Sequence, residues 1–252
     1  MSRGHPFLDH PGPIPFAHRG GAGDHPENTM PAFEAAVALG YRYLETDVHV
    51  TADGVLLAFH DERLDRVTDR AGRIGDLPWS EVSEARVDGT EPIPLLDDLL
   101  GAWPDARLNI DVKHDAAVEP LASAVRDHAA LDRVCIGSFS GRRLRRARAA
   151  LGDGLCTSLG PLATLRLRLR SWHLPVGRPT GACAQLPVRQ GPLPLIDRRL
   201  VDTAHRLGMP VHAWTIDDPA EMERLLDLGV DGLMTDRPAV LKEVLSRRGQ
   251  WA

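Results

Sequence analysis

The chain has 252 residues, 43% of them hydrophobic, and a formal net charge of -5 at pH 7. This length and apolar fraction support a substantial core and exclude global disorder, while the acidic balance argues against nucleic acid as a partner. Because the N-terminus has no apolar leader-like segment and no run of 18 apolar residues occurs, we expect a cytoplasmic protein without stable membrane insertion.

Short apolar runs alternate with helical patterns along the chain. Strands are predicted at residues 14–18, 42–48, 107–112, 133–138, 154–158, 182–186, 210–215 and 231–235. Helices are predicted at residues 29–39, 117–129, 140–150, 161–171, 197–207, 218–228 and 238–246. Asp197 and Asp217 are expected helix N-caps, and glycines follow three helix ends, at Gly40, Gly208 and Gly229. This α/β alternation predicts a (β/α)8 TIM barrel, whereas a doubly wound sheet would have a glycine-rich fingerprint at its first helix.

Two segments depart from this alternation. Residues 55–60 predict an extra strand that follows the turn TADG and runs antiparallel, because parallel neighbours need a crossover connection. The turn places His60 opposite Thr46, although a slip of one residue would move it to the other face. Residues 61–106 are turn-rich, which is typical of insertions at the active-site end of a barrel. The chain is therefore predicted to be one domain, residues 1–252, with an insertion at about 61–106.

Four predicted strands carry polar side chains on the face that should point into the barrel. Side chains alternate along a strand, so Glu45, Asp47 and His49 share one face of the second strand. The other polar sets are Asn109, Asp111 and Lys113 in the third strand, His212 and Trp214 in the seventh, and His18 in the first. A single acid at a strand end is most often a cap or an ion pair. The same inversion in four strands instead indicates an active site at the C-terminal end of the barrel.

Residues 162–171 (LATLRLRLRS) alternate leucine with arginine. As a helix, the segment carries Leu162, Leu165 and Leu169 on one packed side and arginines on its surface. As a strand or loop, it would present a basic, leucine-bearing edge to anionic lipid. The helix is favoured because the alternation of elements requires one here. The three cysteines, Cys135, Cys156 and Cys183, form no Cys-x-x-Cys pair and are expected to be reduced, buried thiols.

Nine short motifs occur in order along nearly the whole chain. They are AHRG (17–20), PENTMPAF (26–33), ETDVHVTADGVLLAFHD (45–61), DRVT (65–68), IPLLDDLL (93–100), NIDVK (109–113), SF (138–139), HAWTIDD (212–218) and GVDGLMTDRP (229–238). Each motif is weak alone, but the ordered set is specific and resembles the glycerophosphodiester phosphodiesterase family. The resemblance implies a (β/α)8 barrel of the phospholipase-C-like type.

The same resemblance implies one divalent cation, Ca²⁺ or Mg²⁺, held by Glu45, Asp47 and Asp111. Hard cations take oxygen ligands, which these three acids supply. The family commonly has glutamate where this chain has Asp111. The shorter side chain leaves a bridging water as the alternative to direct ligation by Asp111.

His18 and His60 are implied to be the general acid and base. Cleaving a phosphodiester requires one group to deprotonate the attacking oxygen and another to protonate the leaving alkoxide, and imidazole can do either. Either histidine can take either role, and the attacking oxygen can be water or a substrate hydroxyl. Arg19 and Lys113 resemble the phosphate-binding cations, and Trp214 resembles the aromatic wall beside the substrate.

The PENT segment contributes two further candidates, Glu27 and Asn28. Each can contact metal or substrate, or orient the catalytic groups, and the orienting role is favoured for Asn28. Three residues are weaker candidates: His25, His49 and Asp236. We expect His49 at the surface above the barrel mouth, and Asp236 can simply close the last strand-to-helix turn.

The leading hypothesis is metal-dependent hydrolysis of a small-molecule glycerophosphodiester to glycerol 3-phosphate and an alcohol, in lipid and glycerol metabolism. One alternative is a lysophospholipase D-type hydrolase at a membrane surface, which an apolar, concave insertion at 61–106 would favour. A second is a non-catalytic phosphodiester-binding protein, against which the intact His18 and His60 argue. A third is a barrel phospholipase that cleaves on the other side of phosphorus, although the PENT and GVDGLMTDRP segments resemble the diesterases more closely. The oligomeric state stays open.

Overall fold

The computed structural model describes residues 5–23 and 25–252. Within these ranges the strands are β1 Ile14–His18, β2 Tyr43–Val50, β3 Leu56–Ala58, β4 Arg86–Val87, β5 Glu91–Pro92, β6 Arg107–Val112, β7 Val134–Gly137, β8 Cys156–Thr157, β9 Ala184–Pro187, β10 Arg189–Gln190, β11 Leu193–Pro194, β12 Val211–Trp214 and β13 Gly232–Thr235. The α-helices are α1 Met30–Ala38, α2 Trp79–Val82, α3 Leu96–Ala102, α4 Val118–Asp127, α5 Gly141–Leu151, α6 Pro161–Ser171, α7 Arg198–Arg206, α8 Pro219–Leu228 and α9 Pro238–Arg247. No helix in the described part of the chain has the length and apolar character needed to cross a bilayer.

Parallel strands form the barrel that the sequence predicts. The hydrogen-bonded order is β8-β7-β6-β2-β1-β13-β12-β9. A parallel bridge between Ser158 and Cys183 joins the two ends of this sheet. Leu159 N also donates to Cys183 O at 3.0 Å, and Ala182 N donates to Thr157 O at 2.8 Å. The (β/α)8 fold with an extra hairpin strand is confirmed, and the predicted bounds of these strands and helices agree to within two residues.

The alternation of side chains along the strands separates the outer core from the inside of the barrel. In β2, Leu44 and Val48 belong to the apolar cluster that also contains Leu99 of α3 and Val125 of α4. Each leucine buried in this way contributes roughly 1.5–3 kcal/mol. The acids of the same strand therefore face the opposite way, into the barrel.

Aspartate side chains cap the beginnings of two helices, α7 and α8. Asp197 accepts a hydrogen bond from Leu200 N at 2.8 Å, which confirms it as the N-cap of α7. The expected cap at Asp217 is wrong, because Asp218 caps α8 by accepting from Glu221 N. Asp217 instead accepts from Thr235 Oγ1 and Asp236 N, both at 2.8 Å, and so holds the loop after β13.

The hairpin after β2 has the predicted direction and register. β3 runs antiparallel to β2, with Val48 opposite Ala58 and His49 opposite Leu57. Phe59 N continues the ladder by donating to Asp47 O at 2.9 Å. His60 consequently returns to the level of the acids of β2. Six apolar side chains of the insertion that follows are buried in a separate cluster with Leu57 and Phe59 of the hairpin; they are Leu64, Ile74, Val82, Ala85, Val87 and Ile93.

Residues 161–171 form helix α6, as predicted, but the expected packed face is wrong. Leu162 and Leu165 are 61% and 51% exposed. The buried side includes Leu167 and Arg168, and the Arg168 guanidinium pairs with Asp197 at 2.5 Å. Because a leucine–arginine alternation does not match the helical period, the partner available from α7 decides which side packs.

Candidate active site

The acids and the first histidine lie together because three neighbouring strands are parallel and in register. His18, the last residue of β1, is opposite Glu45 of β2. Asp47 of β2 is opposite Asp111 of β6. Glu45 and Asp47 are buried, at 4% and 2% exposure. The C-terminal ends of these strands therefore present three carboxylates and an imidazole at one end of the barrel.

Two cations contact the carboxylates directly. The Lys113 ammonium lies 2.8 Å from Asp47 Oδ1 and 2.7 Å from Asp111 Oδ2. Arg19 donates its backbone N–H to Glu45 Oε2 at 3.1 Å, and its Nε lies 3.3 Å from Asp47 Oδ2. The positive charge is thus concentrated on Asp47, and Asp111 Oδ1 is buried without a hydrogen-bond partner.

The pKa values of the acids reflect this uneven distribution of charge. Burial and then Asp47 raise the pKa of Glu45 to about 7. Burial also raises the pKa of Asp111, only partly opposed by Lys113. For Asp47, burial acts in the same direction, but Lys113 and Arg19 outweigh it and hold the pKa below its usual value. The cationic side chains of the protein therefore hold the pKa of Asp47 below its usual value but do not do so for Glu45 and Asp111.

His18 is held between two carboxylates. Its Nδ1 lies 2.7 Å from Asp236 Oδ1, and its Nε2 lies 3.7 Å from Glu45 Oε2. Burial by itself lowers the pKa of His18, but Glu45 and Asp236 outweigh burial, so the pKa lies above its ordinary 6.5. Asp236, a weak candidate from the sequence, therefore orients the imidazole through Nδ1.

His60 is held in the same way by its neighbour in the chain. Its Nδ1 lies 2.5 Å from Asp61 Oδ1. Asp61 also accepts hydrogen bonds from Arg66. Burial raises the pKa of Asp61, but the contacts with Arg66 and His60 outweigh burial and lower this pKa to about 2. His60 lines the same cleft as Lys113, whose ammonium contacts Asp47 and Asp111. Asp61 and Arg66 are site residues that the sequence analysis missed, although both lie in its quoted motifs.

The PENT residues support the site from one side. Asn28 is 2% exposed, accepts from Thr46 Oγ1 at 2.8 Å and donates to Asp47 Oδ2 at 3.4 Å. Glu27 accepts from Arg19 at 3.0 Å and from Arg66 at 2.5 Å. In this arrangement Asn28 orients an acid, and Glu27 ties the two arginines together rather than facing the three acids.

Aromatic side chains lie on the opposite side of the site. Trp214 ends β12, and its ring meets that of Phe139 edge to face at 5.9 Å. Phe139 is 67% exposed, and its ring centre is 6.0 Å from Lys113 Nζ. Phe139 belongs to the quoted SF motif, but the sequence analysis gave it no role.

The two remaining histidine candidates differ from each other. His49 is buried rather than at the surface, with 6% exposure, because its Nε2 lies 3.0 Å from His60 O beneath the hairpin. Burial lowers its pKa. His25 is exposed and lines a second cleft beside the site.

Two open clefts adjoin at this end of the barrel. One, of about 490 Å³, is lined by His60, Asp61, Glu62, Arg63, Asp65, Arg66 and Lys113. The other, of about 580 Å³, is lined by Ala22, Gly23, His25, Pro26, Glu27, Arg66, Val67, Thr68, Asp69, Val87, Asp88 and Gly89. Arg66 lines both clefts, and its ion pair with Glu27 lies at their boundary. The lining is mainly charged and polar, which suits a small polar ligand.

Comparison with known proteins identifies a matching family and related proteins. Residues 18–240 match the Glycerophosphoryl diester phosphodiesterase family. The chain is 42% identical to the Mycobacterium tuberculosis protein named "Probable glycerophosphodiester phosphodiesterase 2", over 97% of this chain and 95% of that protein. It is 27% identical to a lysophospholipase D of Rattus norvegicus, over 92% of this chain and 85% of that protein.

A solved structure shows the same fold. It is an Oleispira antarctica phosphodiesterase in complex with the product sn-glycerol-3-phosphate, and it is 23% identical to this chain. The superposition has a TM-score of 0.80 and covers 93% of this chain and 97% of the other.

Proposed function

The chain belongs to the glycerophosphoryl diester phosphodiesterase family, and we propose that it uses a divalent cation and two histidines to release glycerol 3-phosphate and an alcohol from glycerophosphodiesters. Membership makes it a glycerophosphodiester phosphodiesterase, a phosphoric diester hydrolase. One observation carries the mechanism. His18 and His60, each paired through Nδ1 with an aspartate, lie at the end of the barrel that carries the buried carboxylates of Glu45 and Asp47 and the partly buried carboxylate of Asp111.

Glu45, Asp47 and Asp111 are the proposed cation ligands. They offer only oxygen donors, which suit Ca²⁺ or Mg²⁺. The unpartnered Oδ1 of Asp111 and the raised pKa values of Glu45 and Asp111 are both conditions that a bound dication relieves. In the described residues the oxygens of these acids are not gathered within 4.8 Å of one another, so ligation of one ion requires side-chain rotation or a water at Asp111. When bound, the ion stabilises negative charge on the phosphoryl oxygens.

The two histidines would transfer protons through Nε2. Because Nδ1 of each ring faces an aspartate, Nδ1 keeps its proton and Nε2 is free to accept or donate one. One histidine takes the proton of the attacking oxygen, and the other protonates the leaving alkoxide. The same aspartates fix both ring orientations, so neither imidazole needs to reorganise during the reaction.

The remaining predicted residues would bind and orient the diester. Arg19 and Lys113 present positive charge beside the acids, where a phosphoryl group would lie, and stabilise charge in the transition state. Trp214 and Phe139 form an aromatic wall against the carbon skeleton of the substrate. Glu27 would act on the substrate only indirectly, because its carboxylate is occupied by two arginines.

The insertion at about 61–106 would complete the substrate site within one domain. Its first residues line the cleft beside His60, while its buried apolar side chains belong to two apolar clusters. The side chains that face this cleft are thus mainly charged, which favours a small, polar head group over an acyl chain.

One observation favours a lysophospholipid as a second candidate substrate. Three segments that follow barrel strands expose large apolar residues: Phe139 after β7 at 67%, Leu162 in the first turn of α6 at 61% and Leu193 in β11 at 65% exposure. These side chains could contact an acyl chain or a lipid surface. A relative is also named as a lysophospholipase D.

The direct test is product analysis with glycerophosphocholine. We expect glycerol 3-phosphate and choline from the wild-type protein, and a loss of turnover of about 10²–10⁴-fold in His18→Ala and in His60→Ala. His205→Ala, which changes an exposed histidine of α7, is the matched control. Phosphocholine and glycerol as products would contradict the proposed bond cleavage, and wild-type rates in either variant would remove that histidine from the mechanism.

A further inference from the structure

All three cysteines of the chain converge inside the barrel, at the end opposite the phosphodiesterase site. Cys135 lies in β7, Cys156 in β8 and Cys183 directly before β9, and all three are fully buried. Cys135 and Cys156 are opposite each other in the strand register, and Cys183 pairs with Ser158. Three residues that are far apart in the sequence thus meet because β7, β8 and β9 are neighbours.

The sulfur atoms are close enough to share one ion. All three Sγ atoms lie within 4.8 Å of one another, and those of Cys135 and Cys183 are 3.9 Å apart. Among the described residues, this is the only set of three His, Cys, Asp or Glu side chains whose ligand atoms gather so closely. None of the three thiols is in a disulfide.

The spacing fits three-coordinate ligation better than a disulfide. An ion about 2.3 Å from each of three coplanar sulfurs places those sulfurs about 4.0 Å apart. The Cys135–Cys183 separation already has this value, and the other pairs need only a small contraction. A disulfide needs sulfurs about 2.0 Å apart, which requires a much larger movement and leaves one thiol unpaired.

The number of available ligands, three sulfur atoms, favours one kind of ion over another. Thiolates favour soft ions such as Cu(I) and zinc, but structural zinc sites are almost always four-coordinate. His5 acts electrostatically on Cys156, yet its Nδ1 accepts from Phe7 N at 3.0 Å and its Nε2 bonds Gly154 O at 2.6 Å. The ring therefore offers no free nitrogen to complete a tetrahedron.

We propose that Cys135, Cys156 and Cys183 form a three-coordinate thiolate site for Cu(I), separate from the phosphodiesterase site. Each thiol that ligates releases its proton to solvent, and copper remains Cu(I), so no oxidant or reductant is consumed.

An apolar shell closes the site from solvent. The same cluster contains Phe7, Ile14, Phe16, Tyr43 and Met234. Phe7 lies in the short 3-10 helix Pro6–Leu8, and its carbonyl accepts from Tyr43 Oη at 2.9 Å. Such a shell excludes water and protects thiolates and Cu(I) from oxidation. Copper would have to enter before this N-terminal helix docks, or while it is displaced.

The test is an anaerobic titration of the full-length, reduced protein with Cu(I) alone, against a colorimetric Cu(I) chelator. We expect one equivalent to bind, a near-ultraviolet thiolate-to-copper band, and an increase in Tm of roughly 5 °C or more at saturating copper. X-ray absorption of the loaded wild-type protein should show three sulfur neighbours at about 2.3 Å.

Matched variants separate the thiol trio from unspecific binding. Cys156→Ser should lose the tight equivalent and the absorption band. Met234→Leu should keep both, because it removes a neighbouring sulfur from the same cluster at nearly constant volume. Both variants should retain phosphodiesterase activity, which reports their folding independently of copper.

Three results would overturn the proposal. They are a wild-type protein that binds Cu(I) no better than Cys156→Ser, a copper environment with fewer than three sulfurs, and a preference for zinc over Cu(I). If Cys156→Ser does not fold, the wild-type stoichiometry and X-ray absorption still decide the question.

Discussion

His212 should make the folded protein less stable in mild acid. It lies in β12, is 0% exposed and contacts Phe16. Its Nε2 has no hydrogen-bond partner, and its Nδ1 lies 3.5 Å from Gln185 Nε2. Burial lowers the pKa of His212 to about 3, so the ring stays neutral in the folded state while the unfolded chain takes up a proton near pH 6.5.

The size of the effect follows from these two pKa values. Folding lowers the pKa of such a base relative to the unfolded chain. The free energy of unfolding is therefore highest above the unfolded pKa and falls as the pH drops below it. With a folded pKa of about 3 and an unfolded value of about 6.5, the free energy of unfolding should fall by about 2 kcal/mol between pH 7 and pH 5. Below pH 5 the loss continues at about 1.4 kcal/mol per pH unit until the folded pKa is reached.

Urea denaturation at pH 7, 6 and 5 measures this loss. Other groups also titrate, so the comparison is between the wild type and His212→Gln, whose pH dependence should be flatter by about 2 kcal/mol over that interval. His173→Gln, at an exposed position, should have the wild-type dependence. Parallel curves for the wild type and His212→Gln would refute the claim that His212 is held neutral by burial.

Three further predictions concern the active site. Asp236→Asn and Asp61→Asn should each lower kcat by roughly 10- to 100-fold with little change in KM, because each disturbs the orientation of one histidine; an effect on KM alone would contradict this. Asp111→Asn should weaken the dependence on added cation less than Asp47→Asn does, as titration of activity with metal can measure, and equal losses would make Asp111 a direct ligand. Phe139→Ala should reduce hydrolysis of lysophosphatidylcholine more than hydrolysis of glycerophosphocholine if acyl chains contact the aromatic wall, and an equal reduction would argue against the lysolipid.

The barrel and the acids could be predicted because both depend on local periodicity. Polar residues at alternate positions of β2 and β6 identify the inner face, and neighbouring parallel strands bring Asp47 and Asp111 together. The antiparallel hairpin follows from the short turn alone. The histidine His60 could therefore be assigned to the same site before its contacts were known.

The supporting contacts could not be predicted, because they depend on packing between distant segments. Asp236 reaches His18 across most of the chain, and Arg66 reaches Glu27 from the insertion. The choice of Asp217 over Asp218 as the helix cap is a different error, because Pro219 at the first position of α8 is a local signal that favours Asp218. The packed side of α6 could not be predicted from its leucines, because it depends on an ion pair between Arg168 and Asp197 of a distant segment.

The most direct test of the proposed mechanism is the release of glycerol 3-phosphate from glycerophosphocholine after removal of divalent ions with a chelator. The proposed roles of Glu45, Asp47 and Asp111 predict that chelation abolishes release and that Ca²⁺ or Mg²⁺ restores it. Undiminished release from the fully chelated protein would contradict the proposed metal site.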